Sequence, residues 1–438
     1  MKIVQITPGA GAMYCGNCFR DNALVAALRK MGHDALMVPL YLPLTLDEED
    51  QSAGTPIFFS GINVYLQQKS PLFRGAPGWF RNLLTSRSLL KWAAGKAAKT
   101  RAEDLGDLTL SILRGEEGNQ ARELDELIAW LKTQPKPDIV CLSNVLLIGL
   151  TRQLKSELNV PVVCILQGED FFLDALPASH RNLCWETVAQ RATEADVFVA
   201  PSRYFADLMR QRLRLPPERV RVVHNGINLA GYEAKPNPPP KPALGYFARM
   251  CKEKGLDTLI DAYIELRRRR RIEAVTLRIG GSCGPGDEAF VQAQKQKLAA
   301  AGVAQEVEFH PNLDRPAKLD FLRGLSVFSV PARYGEAFGL YVIEALAAGV
   351  PVVQPRTAAF PELIQESGGG VLFEPGNAPA LAEQVEELLL HPERAAALGA
   401  AGRQAVFDRF NAASMASATL AVYQSAIAQF RPLAQAVG

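Results

Sequence analysis

Two glutamates, Glu336 and Glu344, stand eight positions apart in PARYGEAFGLYVIEALAAGVPVV. A carboxylate accepts two hydroxyl hydrogen bonds at once, which is how the vicinal diol of a ribose or a hexose is held. Between the two glutamates a helix is expected to begin near Phe338 and to stop at Gly349. The backbone N–H groups of Phe338, Gly339 and Leu340 then fall at its start, where they can receive a phosphate. Upstream, GYFARMCKEKGLDTLIDAY places Arg249 and Lys254 just past a strand end and before another helix. Two fixed cations there suit a leaving diphosphate, whose charge grows in the transition state. Near the start of the chain, TPGAGAMYCGNC carries Gly9, Gly11 and Gly16 between the first strand and a helix expected near Phe19 or Arg20. Such a turn permits close backbone approach to an anion. Each feature alone has a plainer reading as solvated loop cations, a helix cap or a bare turn. Their recurrence at the ends of successive strands favours a site for a nucleoside diphosphate.

The elements that must position these residues alternate regularly. Short apolar runs (Lys2–Thr7, Ala35–Pro39, Asp138–Leu142, Val162–Leu166, Val197–Ala200 and Val220–Val223) read as strands of a first parallel sheet. A second set follows at Ala243–Phe247, Thr276–Gly280, Val307–His310, Val327–Val330 and Val352–Gln354. Between them lie amphipathic stretches such as Glu116–Lys132, with Leu124, Leu127, Ile128 and Leu131 at helical spacing. The fold class expected is α/β, two Rossmann-like doubly wound domains facing across a cleft. In KPNPPPKP five of eight residues are proline, which sustains neither helix nor central strand. The expected organisation is therefore an N-terminal acceptor-side domain over 1–234, a linker over 235–242, a donor domain over 243–411, and a terminal helix over 412–438 that packs back on the first domain.

Composition narrows the partners. Lys plus Arg number 48 against 46 Asp plus Glu, a net charge of +2 that calls for no nucleic acid. The opening MKIVQITPGAG lacks the basic n-region of a signal peptide, and no run of eighteen apolar residues occurs. The cysteines number seven, several inside strand-like runs, and read as small buried hydrophobes of a cytoplasmic protein. Cys15 and Cys18 form a C-x-x-C without a second pair, so no metal site is expected. The run Arg267–Arg271 ends a helix and is expected to be solvated. Between Asp50 and Glu103 no acidic residue occurs. Within 69–101, Lys69, Arg74, Arg81, Arg87, Lys91, Lys96, Lys99 and Arg101 alternate with Trp79, Phe80, Leu83, Leu84, Leu89, Leu90 and Trp92. The favoured reading is an amphipathic helical insertion with its apolar residues buried. The other is a surface for an anionic membrane, at the inner face, or for an anionic acceptor.

Taken together, PGAGAMYCGN, ADVFVAPSRYFADLM, RVRVVHNGIN, ARMCKEKGLDTLI and above all GEAFGLYVIEALAAGVPVV resemble the retaining family-four glycosyltransferases, which have the GT-B fold. The resemblance covers nearly the whole chain, and the two glutamates separated by seven residues are its most specific part. It implies a hexosyltransferase that moves sugar from a nucleoside-diphosphate donor to an acceptor hydroxyl (on a saccharide, lipid or small molecule) without metal or other cofactor. Arg249 and Lys254 would neutralise the diphosphate, Glu336 would contact donor-sugar hydroxyls and Glu344 the ribose. Phe338, Gly339 and Leu340 would supply backbone contacts, and Gly11 would lie against the diphosphate from the other domain. On the front-face account of retention a donor phosphate oxygen takes the acceptor's proton. Two departures stand out. Ser143, Asn144 and Gln167 occupy strand ends where relatives often carry a histidine, and Gln167, Glu169 and Asp170 are the acceptor-side candidates. RTAAFPELI keeps Pro361 and Glu362 but has alanines where relatives often pair glycines.

The alternatives are a sugar-nucleotide epimerase or a phosphorylase on the same fold, a non-catalytic sugar-nucleotide sensor, and an NAD-dependent dehydrogenase. The last requires an acidic residue at the end of the second strand, and ALMVPLY offers none before Asp47.

Overall fold

Strands apolar on both faces are stable only where helices cover both sides of the sheet, and that is how the β-branched runs are used. The computed structural model describes residues 1–9, 16–59, 102–232, 239 and 241–431. Gly11, Cys15, the basic stretch 69–101 and most of 235–242 lie outside the described residues. The chain divides into two compact units, one comprising Met1–His224 with Met415–Gly438 and the other Asn225–Ser414.

In the first unit, β1 (Lys2–Thr7), β2 (Asp34–Pro39), β3 (Ile139–Leu142), β4 (Val162–Ile165), β5 (Val197–Ala200) and β6 (Val220–Val222) form one sheet. All neighbours are parallel, in the order β2-β1-β3-β4-β5-β6. Its helices are α1 (Gly16–Lys30), α2 (Ala102–Leu113), α3 (Ala121–Thr133), α4 (Thr151–Leu158), α5 (Glu169–Asp174), α6 (Ala178–Ala192) and α7 (Arg203–Leu213). Leu124, Leu127, Ile128 and Leu131 are the buried stripe of α3, which starts five residues later than its leucine pattern suggests, after a short 3-10 turn at Gly115–Glu117. Helix α1, by contrast, begins earlier than expected, at Gly16 rather than near Phe19 or Arg20.

The second unit contains β7 (Ala243–Phe247), β8 (Thr276–Gly281), β9 (Val307–Pro311), β10 (Val327–Phe328), β11 (Val352–Pro355) and β12 (Gly370–Phe373). They are parallel in the order β12-β11-β10-β7-β8-β9. Connecting and covering them are α8 (Leu256–Arg269), α9 (Glu288–Ala300), α10 (Arg315–Arg323), α11 (Leu340–Ala347), α12 (Phe360–Ser367), α13 (Ala378–Leu390) and α14 (Pro392–Asp408). Numbered within the unit, the order is the 3-2-1-4-5-6 of a doubly wound nucleotide-binding sheet. Strand β12 escapes the sequence reading because it opens on glycine and is a half-buried edge without a β-branched run. The last helix, α15 (Ala412–Gln429), buries Met415, Ala416, Thr419, Leu420, Tyr423 and Ala426, and from Met415 onward belongs to the first unit.

The run Arg267–Arg271 is solvated only in part: Arg268 and Arg271 are mostly exposed, whereas Arg267 and Arg269 are not. Arg267 pairs with Glu306 at 2.6 Å, Arg271 with Glu386 at 2.9 Å and Arg269 with the same Glu386 at 3.6 Å. Arg270 closes α8 in the left-handed conformation, φ +54°. Glu386 sits on α13 with its side chain 3% exposed, so the arginines clamp α13 to the end of α8. Replacing Glu386 with Gln removes the anion both arginines face. Because the arginines are themselves partly solvated, the expected loss is about 2 kcal/mol rather than the larger cost of a fully buried pair, read as a lower midpoint in urea unfolding.

Candidate functional site

A parallel sheet delivers all its strand C-termini to one edge, and the second unit loads that edge with charge. The connection after β7 carries Arg249 and Lys254, that after β8 carries Asp287, and α10 after β9 carries Lys318. The connection after β10 carries Glu336, and α11 carries Glu344. The order reverses between β7 and β10, so the loops that leave these two neighbours run to opposite sides and open a crevice between them. Lys254 and Glu336 meet there, Nζ to Oε2 at 2.6 Å, with both side chains less than a fifth exposed.

The two loops are fastened to each other. The Arg333 backbone N–H donates to the Glu253 carbonyl at 3.0 Å, and the Arg333 guanidinium reaches Asp257 at 2.8 Å. Gly255, at φ +72°, lies so close to Pro331 that a Cβ would stand 1.9 Å from its carbonyl oxygen. Only glycine fits that approach, and it fixes the residue beside Lys254. Burial disfavours the Lys254 charge, but the Glu336 carboxylate outweighs it and holds the ammonium's pKa above its usual value. The rings of Tyr334 and Tyr341 lie 4.8 and 5.2 Å from Nζ, within cation–π range.

The remaining expected donor residues are paired in the same way. Arg249 Nε reaches both oxygens of Asp287 at 3.0 Å, and Asp287 also accepts the Gly284 N–H at 3.1 Å. Glu344 accepts from Lys318 Nζ at 3.0 Å. Helix α11 starts at Leu340, two residues later than expected, with Gly339 as its left-handed cap at φ +97°. Leu340 is thus the first helical residue, whereas Phe338 is a buried core side chain against Phe410. Ala358, in the segment with alanines for glycines, does adopt the left-handed region at φ +54°, and the next N–H, that of Ala359, donates to the Glu336 carbonyl.

In the first unit, the three acceptor-side candidates separate. Glu169 is buried and its carboxylate is engaged by backbone, taking Val145 N–H at 2.9 Å and Gln167 N–H at 2.7 Å. From the first residue of α5 it braces the ends of β3 and β4. Gln167 donates its amide to the Ser143 carbonyl at 3.0 Å. Asp170 is half-buried, and its Oδ1 has no hydrogen-bond partner. Ser143 donates its hydroxyl to Asp21, which pairs with Arg20 at 3.1 Å, both fully buried. The helix that follows the glycine loop is thereby linked through Asp21 and Ser143 to Gln167. Burial raises the Asp21 pKa, against the pull of Arg20 and Ser143.

Asp287, Lys318, Tyr334, Tyr341 and Asp21 were not singled out in the sequence. Asp287 and Lys318 look like ordinary turn and helix charges, and the tyrosines like core. Among the described residues no cluster of three or more His, Cys, Asp or Glu is placed to hold a metal. No helix among them is long and apolar enough to cross a membrane.

Comparison with known proteins adds to this. Residues 232–405 match the family of glycosyl transferases group 1, and residues 109–230 match Glycosyltransferase Family 4. A D-inositol 3-phosphate glycosyltransferase of Streptomyces bingchenggensis is 32% identical over 257 residues, 55% of either chain. A GDP-mannose-dependent alpha-(1-6)-phosphatidylinositol monomannoside mannosyltransferase of Mycolicibacterium smegmatis is 31% identical over 176 residues, 39% of this chain and 44% of that one. The chain thus spans about half the length of the curated relatives it matches. Among solved structures, sucrose-phosphate synthase from Thermosynechococcus elongatus superposes with a TM-score of 0.70 at 19% identity, over 98% of this chain and 99% of that one. Anabaena HepE in complex with UDP gives 0.67 at 16% identity, over 97% and 100%. At such identities the likeness speaks for the GT-B fold.

Burial pushes the Glu169 pKa up to about 7, against the two backbone N–H bonds and from an ordinary 4.5. The folded chain therefore holds a proton that the unfolded chain releases between those values. This proton stabilises the fold fully below about pH 4.5, and its contribution is lost as pH rises through about 7. Melting of wild type and Glu169→Gln from pH 5 to 8 should show the wild type losing ground with rising pH, by up to about 3 kcal/mol. A constant difference between the two would contradict the raised value.

Proposed function

The chain belongs to the glycosyltransferases of group 1 and family 4, and on that premise we propose that it moves a hexosyl unit from a nucleoside-diphosphate sugar to an acceptor hydroxyl with retention at the anomeric carbon. The observation that carries the reading is the Lys254–Glu336 pair in the switch-point crevice, flanked by the Arg249–Asp287 and Lys318–Glu344 pairs and by the start of α11.

On this reading the diphosphate lies against Arg249, Lys254 and the N–H groups at Gly339 and Leu340. They stabilise the charge that develops on the leaving oxygen. Glu344 holds the ribose and Glu336 the donor sugar. The bond from the anomeric carbon to the diphosphate breaks as that from the acceptor oxygen forms on the same face. The acceptor's proton passes to a phosphate oxygen, and nucleoside diphosphate leaves. No side-chain nucleophile and no metal is needed. Gly11 would complete the diphosphate contacts, while Gln167 and Asp170 would meet the acceptor.

The relatives are named for inositol phosphate and phosphatidylinositol mannoside acceptors, and we propose an acceptor of that class here. A lipid acceptor would suit the basic, aromatic stretch 69–101 and a place at the inner face of an anionic membrane. Sedimentation with vesicles of anionic lipid at low salt tests this: pelleting that is lost in high salt is expected, and no pelleting removes the membrane part of the proposal.

Lys254→Ala or Glu336→Ala should reduce turnover by about a hundredfold or more while leaving the melting profile cooperative. Thermal shift with UDP, GDP, ADP and NAD in turn names the donor, since a hundredfold excess over Kd stabilises by about 2.7 kcal/mol. Near-wild-type rates in both variants, or a shift from NAD alone, would overturn the reading.

A further inference from the structure

The hydrogen bonds at Glu336 all fall on one of its two oxygens. Lys254 Nζ donates to Oε2 at 2.6 Å, the Tyr341 hydroxyl at 2.8 Å, and the Tyr334 hydroxyl at a longer 3.3 Å. An oxygen with two lone pairs is filled by the first two donors. Oε1 receives no bond from a described residue. From these contacts we infer that Tyr341 is a positioning residue. It holds Glu336 in the one orientation that keeps Oε1 for the hydroxyls of the donor's sugar, so that recognition of sugar and of diphosphate are separable at this site. The inference rests on the donor-site reading above.

Three features make Tyr341 suited to this. It lies in the first turn of α11, so its ring starts from a rigid element. That ring packs against Phe328 of β10 and Phe360 of α12, centroids 6.4 and 6.5 Å away, which leaves the hydroxyl little freedom to look elsewhere. Burial, reinforced by the Glu336 carboxylate, pushes the phenol's pKa well above its usual value, so the O–H remains a donor. Glu336 is fixed from the other side through its own carbonyl, which accepts the Ala359 N–H at 3.2 Å. Without the Tyr341 hydroxyl, Oε2 keeps only Lys254 and the longer bond from Tyr334, and the flexible Lys254 ammonium can follow a rotating carboxylate to either oxygen.

Tyr341→Phe deletes the hydroxyl and keeps the ring with its packing. Binding of UDP against UDP-glucose, and of GDP against GDP-mannose, should be measured by calorimetry for wild type, Tyr341→Phe, Glu336→Gln and the double variant. Tyr341→Phe should weaken the sugar nucleotide by about tenfold while leaving the matching diphosphate within about twofold. In the Glu336→Gln background the same change should add less than about twofold, because the tyrosine acts through that carboxylate. Equal losses for diphosphate and sugar nucleotide, no loss for either, or full additivity in the double variant would overturn the inference. A wild-type chain that bound none of the four probes, nor ADP or ADP-glucose, would overturn the donor-site reading itself.

Discussion

Lys254 and Glu336 stand 82 positions apart in the chain and 2.6 Å apart in space. The sheet order reverses between their strands, β7 and β10, and that reversal brings the two loops to the same crevice. The rest of the second unit is organised around that meeting. Gly255 presses one loop onto the other, Arg333 ties them, and β7 and β10 run side by side beneath. The pair is also why each loop tolerates desolvation. A lone ammonium or carboxylate so little exposed would be expensive, whereas a pair with further hydroxyl donors is satisfied.

The same economy repeats along the edge. Both cations expected to meet phosphate already face a carboxylate, Lys254 with Glu336 and Arg249 with Asp287, and Glu344 in turn faces Lys318. Each of these pairs is thus close to neutral as a unit, and its two side chains already face each other before any ligand arrives. Orientation is settled in advance, and a bound anion gains contacts from groups that need not be reorganised.

How much of this was legible in the sequence varied with the range of the interaction. Strand positions were readable because buried parallel strands carry continuous β-branched runs. The exception, β12, is an edge with glycine where such residues would stand. Glu336 and Glu344 were readable from their spacing, and Arg249 and Lys254 from their place after a strand. Their partners were not. Lys318 sits on an amphipathic helix among other charges, and Asp287 in a glycine-rich turn, where a charge is unremarkable until its opposite is known. Tyr341 reads as core because its ring is core, and its hydroxyl matters only through one contact. The arginine run is misleading for the same reason: solvation is the default for five charges in a row, and it gives way only where Glu306 and the buried Glu386 meet three of them.

Helix α15 gives the chain a temporal constraint. Met415, Ala416, Thr419 and Tyr423 are fully buried, and Tyr423 lies against Cys141 on a central strand of the first unit. Those residues are made only after the roughly 190 residues of Asn225–Ser414. At ordinary rates of synthesis, on the order of 10 to 40 s separate the first unit's final strand from the helix that seals its core. During that interval a ribosome-bound chain exposes apolar surface on its first unit while its second unit completes. The order in which the two units mature is therefore the reverse of the order in which they begin, and a nascent chain cut short anywhere before α15 would carry a first unit that no amount of waiting could close.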